Sequence, residues 1–423
     1  MRRCASGAVW GVVLAGLLPV WAEDWAQWRG PSRDGISRES GLLKEWPKEG
    51  PKLLWQFKEA GGGYSTPSVV GERIYFLGNE GLENEFVKAL TVRDGKEVWE
   101  KRIGKVGEPQ QRPAYPGARS TPTIEGEALY AFGSDGDLVC METATGKVRW
   151  QKNVRTEFGG KPGRWAYAES PLIDGEAVVV TPGGESATML ALNKKNGEVV
   201  WKSAVPGGDA AAYASIVIAN VGGTKQYVQF VEKGVIGVDA KSGKFLWRYD
   251  RPAQGSPANI PTPFVFENYV FAGSGRAGGG LIKIIANDGK FETEPVYFEQ
   301  KMPTGIGGVV KLGKELYGTT GRAMLCLDFL TGQIRWEEGG IGAASLCFAD
   351  GRLYVHGENG DVALVEPSAE GYKEKGKFTP KDAPDRGNSK AWAYPVVANG
   401  RLYIRDVNSV WCYDIKGGAV ALR

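Results

Sequence analysis

Six residues have the types and placement to hold a ligand: Arg119, Trp165, Glu169, Tyr213, Asn259 and Trp392. Arginine beside tryptophan and tyrosine grips a flat anion by forked hydrogen bonds and ring stacking, and the same residues serve equally well in a protein interface. Tyr64, Arg112, Tyr115, Arg164 and Arg276 lie in comparable stretches and extend the set. Other chemistries are poorly provided for. His356 is the one histidine in 423 residues, which excludes most Ser-His hydrolase, His-metal and haem sites, because those reactions need an imidazole. His356 follows an apolar run and precedes Gly357, so it reads as a turn residue. No CxxC or CxxCH occurs. With 52 Lys+Arg against 49 Asp+Glu, the net charge of +3 gives no field for nucleic acid or an anionic membrane.

The elements that position these residues are legible from composition and repeat. Glycine is abundant at 61 residues and tryptophan at 14, which favours short strands and tight turns over helices. Five segments, 89–99, 140–150, 191–201, 237–247 and 326–336, share one pattern. Each opens on a small residue, has Gly at the seventh position and ends on Trp (Trp99, Trp150, Trp201, Trp247 and Trp336). Asp, Thr, Asn or Ser before that Gly is turn chemistry, with Gly supplying positive φ. An apolar hairpin precedes each segment, and eight such hairpins are found, at a period of roughly 45–50 residues. The fold expected is all-β: an eight-bladed β-propeller. Residues 53–57 stand alone before the first hairpin with their own Trp55, and the last unit, near Cys412-Tyr413-Asp414, lacks an outer strand. The N-terminal strand is expected to close the ring and remove the open edge. The fifth unit has Thr293 where Trp is expected, and the seventh has a degenerate turn near Glu370-Gly371.

Turn lengths assign the two faces. One carries only short turns, whereas residues 104–118, 155–168, 251–260, 273–280 and 378–390 form long loops on the other, where binding groups are expected. Upstream, Arg2 and Arg3 precede an apolar run, residues 8–20, and Val20-Trp21-Ala22 fits a signal-peptidase site. That run is short of the roughly 20 residues of a membrane span. Residues 1–22 are therefore expected to be a cleaved signal peptide, 23–52 an N-terminal extension and 53–423 the propeller. A periplasmic or extracellular location follows, with no stable membrane insertion after cleavage. Cys4 precedes the apolar run and no Cys lies near the cleavage site, so a lipid anchor would lack its acceptor.

The repeat, small-x-Asp-x-x-Thr-Gly-x-x-x-Trp, resembles the tryptophan-docking repeat of quinoprotein-type (PQQ-like) propellers. The opening Trp25-Ala26-Gln27-Trp28-Arg29-Gly30-Pro31 with Arg33-Asp34-Gly35 is similar to the start of secreted bacterial PQQ-like repeat proteins. The resemblance implies four-stranded blades with each Trp stacked between neighbours. It also implies PQQ with calcium as a possible cofactor, and Glu169 and Asn259 as the matching calcium ligands. The family's base Asp is missing from the corresponding segment 301–305, and its adjacent cysteines are absent. Cys140, Cys326 and Cys412 occupy one slot of separate blades, too far apart for a disulfide, and read as buried small apolar residues, as does Cys347. The favoured reading is a non-catalytic monomeric scaffold that binds protein or carbohydrate on the long-loop face, similar to the propeller subunit of the outer-membrane β-barrel assembly machinery. A PQQ-dependent dehydrogenase of alcohols or sugars is the alternative. A hydrolytic propeller lacks a nucleophile–base pair.

Overall fold

In a computed structural model, which describes residues 23–111 and 114–417, eight antiparallel sheets succeed one another along the chain as the blades of a propeller. The expected signal peptide and Arg112 lie outside the described residues. Blade 1 shows the common plan: strands Ser68–Val70, Arg73–Glu80, Asn84–Thr91 and Glu97–Gly104, here called A to D from the channel outward. The ring closes as expected. Lys52–Phe57 is the D strand of blade 8 and pairs with Ser409–Asp414, Trp55 opposite Cys412 and Phe57 opposite Val410.

The apolar core lies between blades rather than in one central mass. One cluster joins Tyr130, Phe132, Leu138 and Trp150 of blade 2 to Val178, Val180 and Leu190 of blade 3. Docking tryptophans fix these boundaries. Trp99 donates its indole N–H to Thr143 O at 3.0 Å, Trp150 to Lys194 O at 3.0 Å, Trp201 to Ala240 O at 3.2 Å and Trp55 to Val92 O at 3.0 Å. The glycine of each receiving turn is required twice over. Gly146 has φ +71°, and a Cβ there would come 2.7 Å from the Trp99 ring. The cysteine slot has a steric reason too. Cys140 pairs with Tyr130 on one side and Trp150 on the other, and their rings approach to 6.2 Å beside it. Cys140, Cys326, Cys347 and Cys412 are free and buried.

Four local expectations are corrected. His356 is a strand residue, fully buried in Arg352–Gly357, with Nδ1 2.9 Å from Ala393 O. Blade 5 docks through Tyr297 rather than a residue at position 293, because its C and D strands, Gly278–Asn287 and Lys290–Glu299, run to ten residues each. The Tyr297 ring lies under Gly332 and its hydroxyl donates to Phe329 O at 3.0 Å. Trp247 does not dock outward: it folds over Gly237 of its own blade, which has no Cβ to block it, and donates to Gln226 Oε1 at 2.6 Å. Residues 273–280 also differ from expectation, forming a tight turn between two strands instead of a long loop.

The N-terminal extension is built into the ring. Trp25 exchanges backbone hydrogen bonds with Val69 of blade 1 at 2.8 and 2.9 Å, and Ala26 O accepts from Ile124 of blade 2. Arg33 donates to Ser170 O and Pro171 O at blade 3, and Arg29 to Val309 O at blade 6. Ile36–Ser37 adds a parallel strand to blade 7, and the Glu39 carboxylate accepts from Gly400 N of blade 8 at 2.8 Å. This strap thus touches blades 1, 2, 3, 6, 7 and 8. Trp46 then packs on Phe378 and Tyr354 at the last blade boundary, with ring centroids 5.3 and 6.0 Å away. At the boundary of blades 8 and 1, Arg405 is buried without a carboxylate partner and donates to the carbonyls of Ser65 (3.0 Å) and Leu77. Burial alone pushes its guanidinium down to about 9.

Candidate functional site

Blade symmetry brings the segments preceding successive A strands to one ring of positions around the channel mouth. Tyr64, Arg119, Ala168, Tyr213, Ile260 and Tyr394 reach the cavity from such segments, although they are far apart in sequence. The cavity holds about 400 Å³. Tyr64, Tyr115, Trp165, Tyr213 and Trp392 form most of its wall, and Trp28 of the strap with Tyr394 forms its floor. Aromatic contacts hold the wall together: Tyr64–Trp392 at 4.8 Å, Tyr115–Trp392 at 5.0 Å and Trp165–Tyr213 at 6.1 Å between ring centroids. Trp28 meets Tyr394 edge-on at 4.5 Å. Polar ends are tied down behind the rings. Trp392 Nε1 donates to Glu358 Oε1 at 3.0 Å, and Tyr394 OH to Ile306 O at 2.8 Å. Trp165 N donates to Tyr213 OH at 3.0 Å, and the Arg164 guanidinium lies 5.1 Å from the Trp165 ring.

Of the six residues singled out from sequence, the structure brings together Arg119, Trp165, Tyr213 and Trp392 at this cavity. Glu169 and Asn259 do not line it. Glu169 is buried below the mouth, where Oε2 accepts from Thr181 N at 2.7 Å. Asn259 Nδ2 donates to Val231 O and Glu232 O at 2.8 and 2.9 Å. Each keeps one buried oxygen unmatched, Glu169 Oε1 and Asn259 Oδ1, but calcium needs six to eight oxygens. No group of three or more His, Cys, Asp or Glu is placed to hold a metal among the described residues. The residues present do not fit a calcium-held quinone. Trp28, Tyr394 and Ile306 were not anticipated here. Trp28 stands in the opening motif and Tyr394 two residues beyond Trp392, but only the strap's path shows that both form the floor.

Arg119 and Arg276 are the charged groups of the wall. Arg119 Nη2 donates to Tyr115 O, whereas its Nη1 is buried without a partner among the described residues. Burial lowers its pKa despite Tyr64, Glu85 and Tyr213 nearby. Glu85 accepts from Ser134 N at 3.0 and 3.1 Å, and burial pushes its carboxyl up to about 7. Burial also raises Glu169, to about 8, only partly opposed by Thr181 and by Arg33 of the strap. A second cleft of about 540 Å³ adjoins the cavity and shares Ala258, Ile260, Arg276 and Ile306 with it. Lys301, Glu337 and Glu358 make this second cleft polar.

The raised carboxyls give a pH dependence of definite sign. A carboxyl whose pKa is higher in the folded than in the unfolded chain stabilises fully below the unfolded value, near 4.5, and that stability is lost as pH rises through the folded one. The contribution from Glu85 and Glu169 should therefore fade across about pH 5 to 8. Thermal melts of the Glu85→Gln/Glu169→Gln double variant should show a flatter dependence over that window. A slope identical to the parent's would assign the effect to other groups.

A family model described as outer membrane protein assembly factor BamB matches residues 9–164 and 83–338. The protein of that name from Burkholderia pseudomallei is 23% identical over 255 residues, covering 58% of this chain and 60% of the relative's own length. The chain thus spans less than two thirds of that relative. The crystal structure of BamB from Moraxella catarrhalis matches with a TM-score of 0.55 at 15% identity, over 81% of this chain and 94% of that one. Quinohemoprotein alcohol dehydrogenase from Comamonas testosteroni matches at 0.53 and 13%, over 95% and 81%. At such identities the structural likenesses establish the propeller fold alone.

Proposed function

Because this chain belongs to the family of outer membrane protein assembly factor BamB, we propose that it acts as a non-catalytic binding scaffold of the cell envelope. A protein partner docks on its long-loop face. The observation that carries this reading is the makeup of the cavity. Its lining is a rigid aromatic wall with Arg119 and Arg276 and contains no carboxylate or imidazole, so it supplies anchoring groups without a general base. The sole histidine is buried in blade 7 with its ring at Ala393 O. Export through the N-terminal signal sequence puts the scaffold in the periplasm or outside the cell. No helix among the described residues is long and apolar enough to cross a membrane.

The test is site-specific photo-crosslinking in the envelope. A crosslinker at Lys390, beside Trp392 on the long-loop face, should capture a partner, whereas one at Glu72 in the short turn of blade 1 should not. The Arg119→Ala/Trp392→Ala double variant should fold normally and lose the crosslink. Binding should depend only modestly on salt, because aromatic anchors dominate and the chain carries little net charge. Capture at Glu72 alone, or capture unaffected by the double variant, would put the site on the wrong face. Dye-linked alcohol or glucose oxidation on adding PQQ and calcium would overturn the non-catalytic reading.

A further inference from the structure

We propose that the aromatic cavity is a receptor for a carboxylate carried on an apolar or aromatic body, with Arg119 as the anchor. The body comes either from a free small acid or from the C-terminal residue of a polypeptide. This deepens the scaffold reading and rests on its assignment of the binding face.

Four observations converge on that chemistry. First, Arg119 lines the cavity, its Nη1 is buried without a partner among the described residues, and its other terminal nitrogen is held by Tyr115 O. A guanidinium in that position is short of one anion, and a carboxylate is the group its fork fits. Second, the cavity itself supplies no such anion. The nearby Glu85 turns its carboxylate to Ser134 N and Oγ of blade 2 and does not line the wall. Third, apart from Arg119 and Arg276 the lining is aromatic rings with Ala168, Ala258, Ile260 and Ile306 between them, around a volume of about 400 Å³. That is the low end for ligand sites, and it suits one ring-sized body rather than an extended chain. Fourth, the strap contributes Trp28 to the cavity, and its indole N–H is held by Thr262 Oγ1 at 3.3 Å at the channel mouth. Beside that mouth, the second cleft offers Arg276, Lys301, Glu337 and Glu358 to whatever the apolar body is attached to.

The experiment titrates the full protein with N-acetyl-L-phenylalanine and with its amide, reading the change in total tryptophan fluorescence, to which Trp28, Trp165 and Trp392 contribute at the cavity. The acid should bind at least about ten-fold more tightly than the amide. Arg119→Leu and Arg119→Gln should bring the acid to the amide's affinity with an unchanged thermal melt. Should both variants misfold, the acid-to-amide ratio of the parent protein still decides. Equal affinities for acid and amide, or no saturable signal for the acid up to about 10 mM, would overturn the assignment. A hexapeptide ending in free phenylalanine separates the two sources: tighter binding than the N-acetyl amino acid assigns a polypeptide terminus, and weaker binding a free acid. Loss of acid binding with the Lys390 crosslink intact overturns the carboxylate receptor alone, whereas loss of the crosslink overturns the scaffold reading.

Discussion

A chain lacking residues 23–57 is expected to aggregate rather than fold as a monomer. The deletion removes the D strand of blade 8 and leaves Ser409–Asp414 as a bare edge. It removes Trp55, whose ring packs against Gly95 and whose indole N–H is bonded to Val92 O across the boundary with blade 1. It also strips the strap that satisfies backbone groups at Val69, Ile124, Pro171 and Phe348. A closed ring with one unsealed boundary loses the packing of both adjacent blades. A loss of about 5 kcal/mol or more would match the whole stability of many domains. Size-exclusion chromatography and thermal melting of the deletion variant give the readout. A shorter deletion, residues 23–51, keeps the closing strand and separates its contribution from the strap's. A soluble monomer melting like the parent after the longer deletion would defeat the closure argument.

Trp150→Ala should cost about 3–5 kcal/mol in urea unfolding, the range for emptying a large aromatic from a packed interior. Trp150 sits in the cluster joining blades 2 and 3, over Gly197, with its N–H on Lys194 O. Trp150→Phe retains most of the apolar area and loses the hydrogen bond, so it should cost less, on the order of 1–2 kcal/mol. Neither change touches the cavity, so acid binding by the variants under native conditions should match the parent's. Intact stability with lost binding would mean that the docking tryptophan is a ligand group.

These outcomes trace back to what was legible along the chain. The eight units, the small–Gly–Trp pattern and the N-terminal closing strand follow from local rules. A turn glycine at positive φ and a tryptophan four residues later repeat in one dimension, and repetition survives without any knowledge of contacts. Arg119, Trp165, Tyr213 and Trp392 were legible as a set because blade symmetry maps equivalent loop positions onto one mouth. Glu169 and Asn259 shared that register but not the outcome. A register fixes the direction along the channel, whereas the competition between a backbone N–H and open space decides where a short polar side chain settles, and Thr181 N and Val231 O settled it here.

By itself, the sequence determined the blade count, the ring closure, the long-loop face and the scarcity of acid–base groups, since all are set by residue type and spacing. Tertiary structure alone decided the rest. Thr293 gave way to Tyr297 because two strands lengthened together, a pairing choice made across the sheet. Trp247 turned inward because Gly237 left room beside it. His356 was buried by Ala393, 37 residues away. Above all, the opening motif became a strap that joins separate blades. Trp25, Arg29 and Arg33 find their partners 44 to 280 residues away, on blades that meet only when the ring closes. Such contacts leave no periodic trace in the sequence, because each is made once and to a different blade.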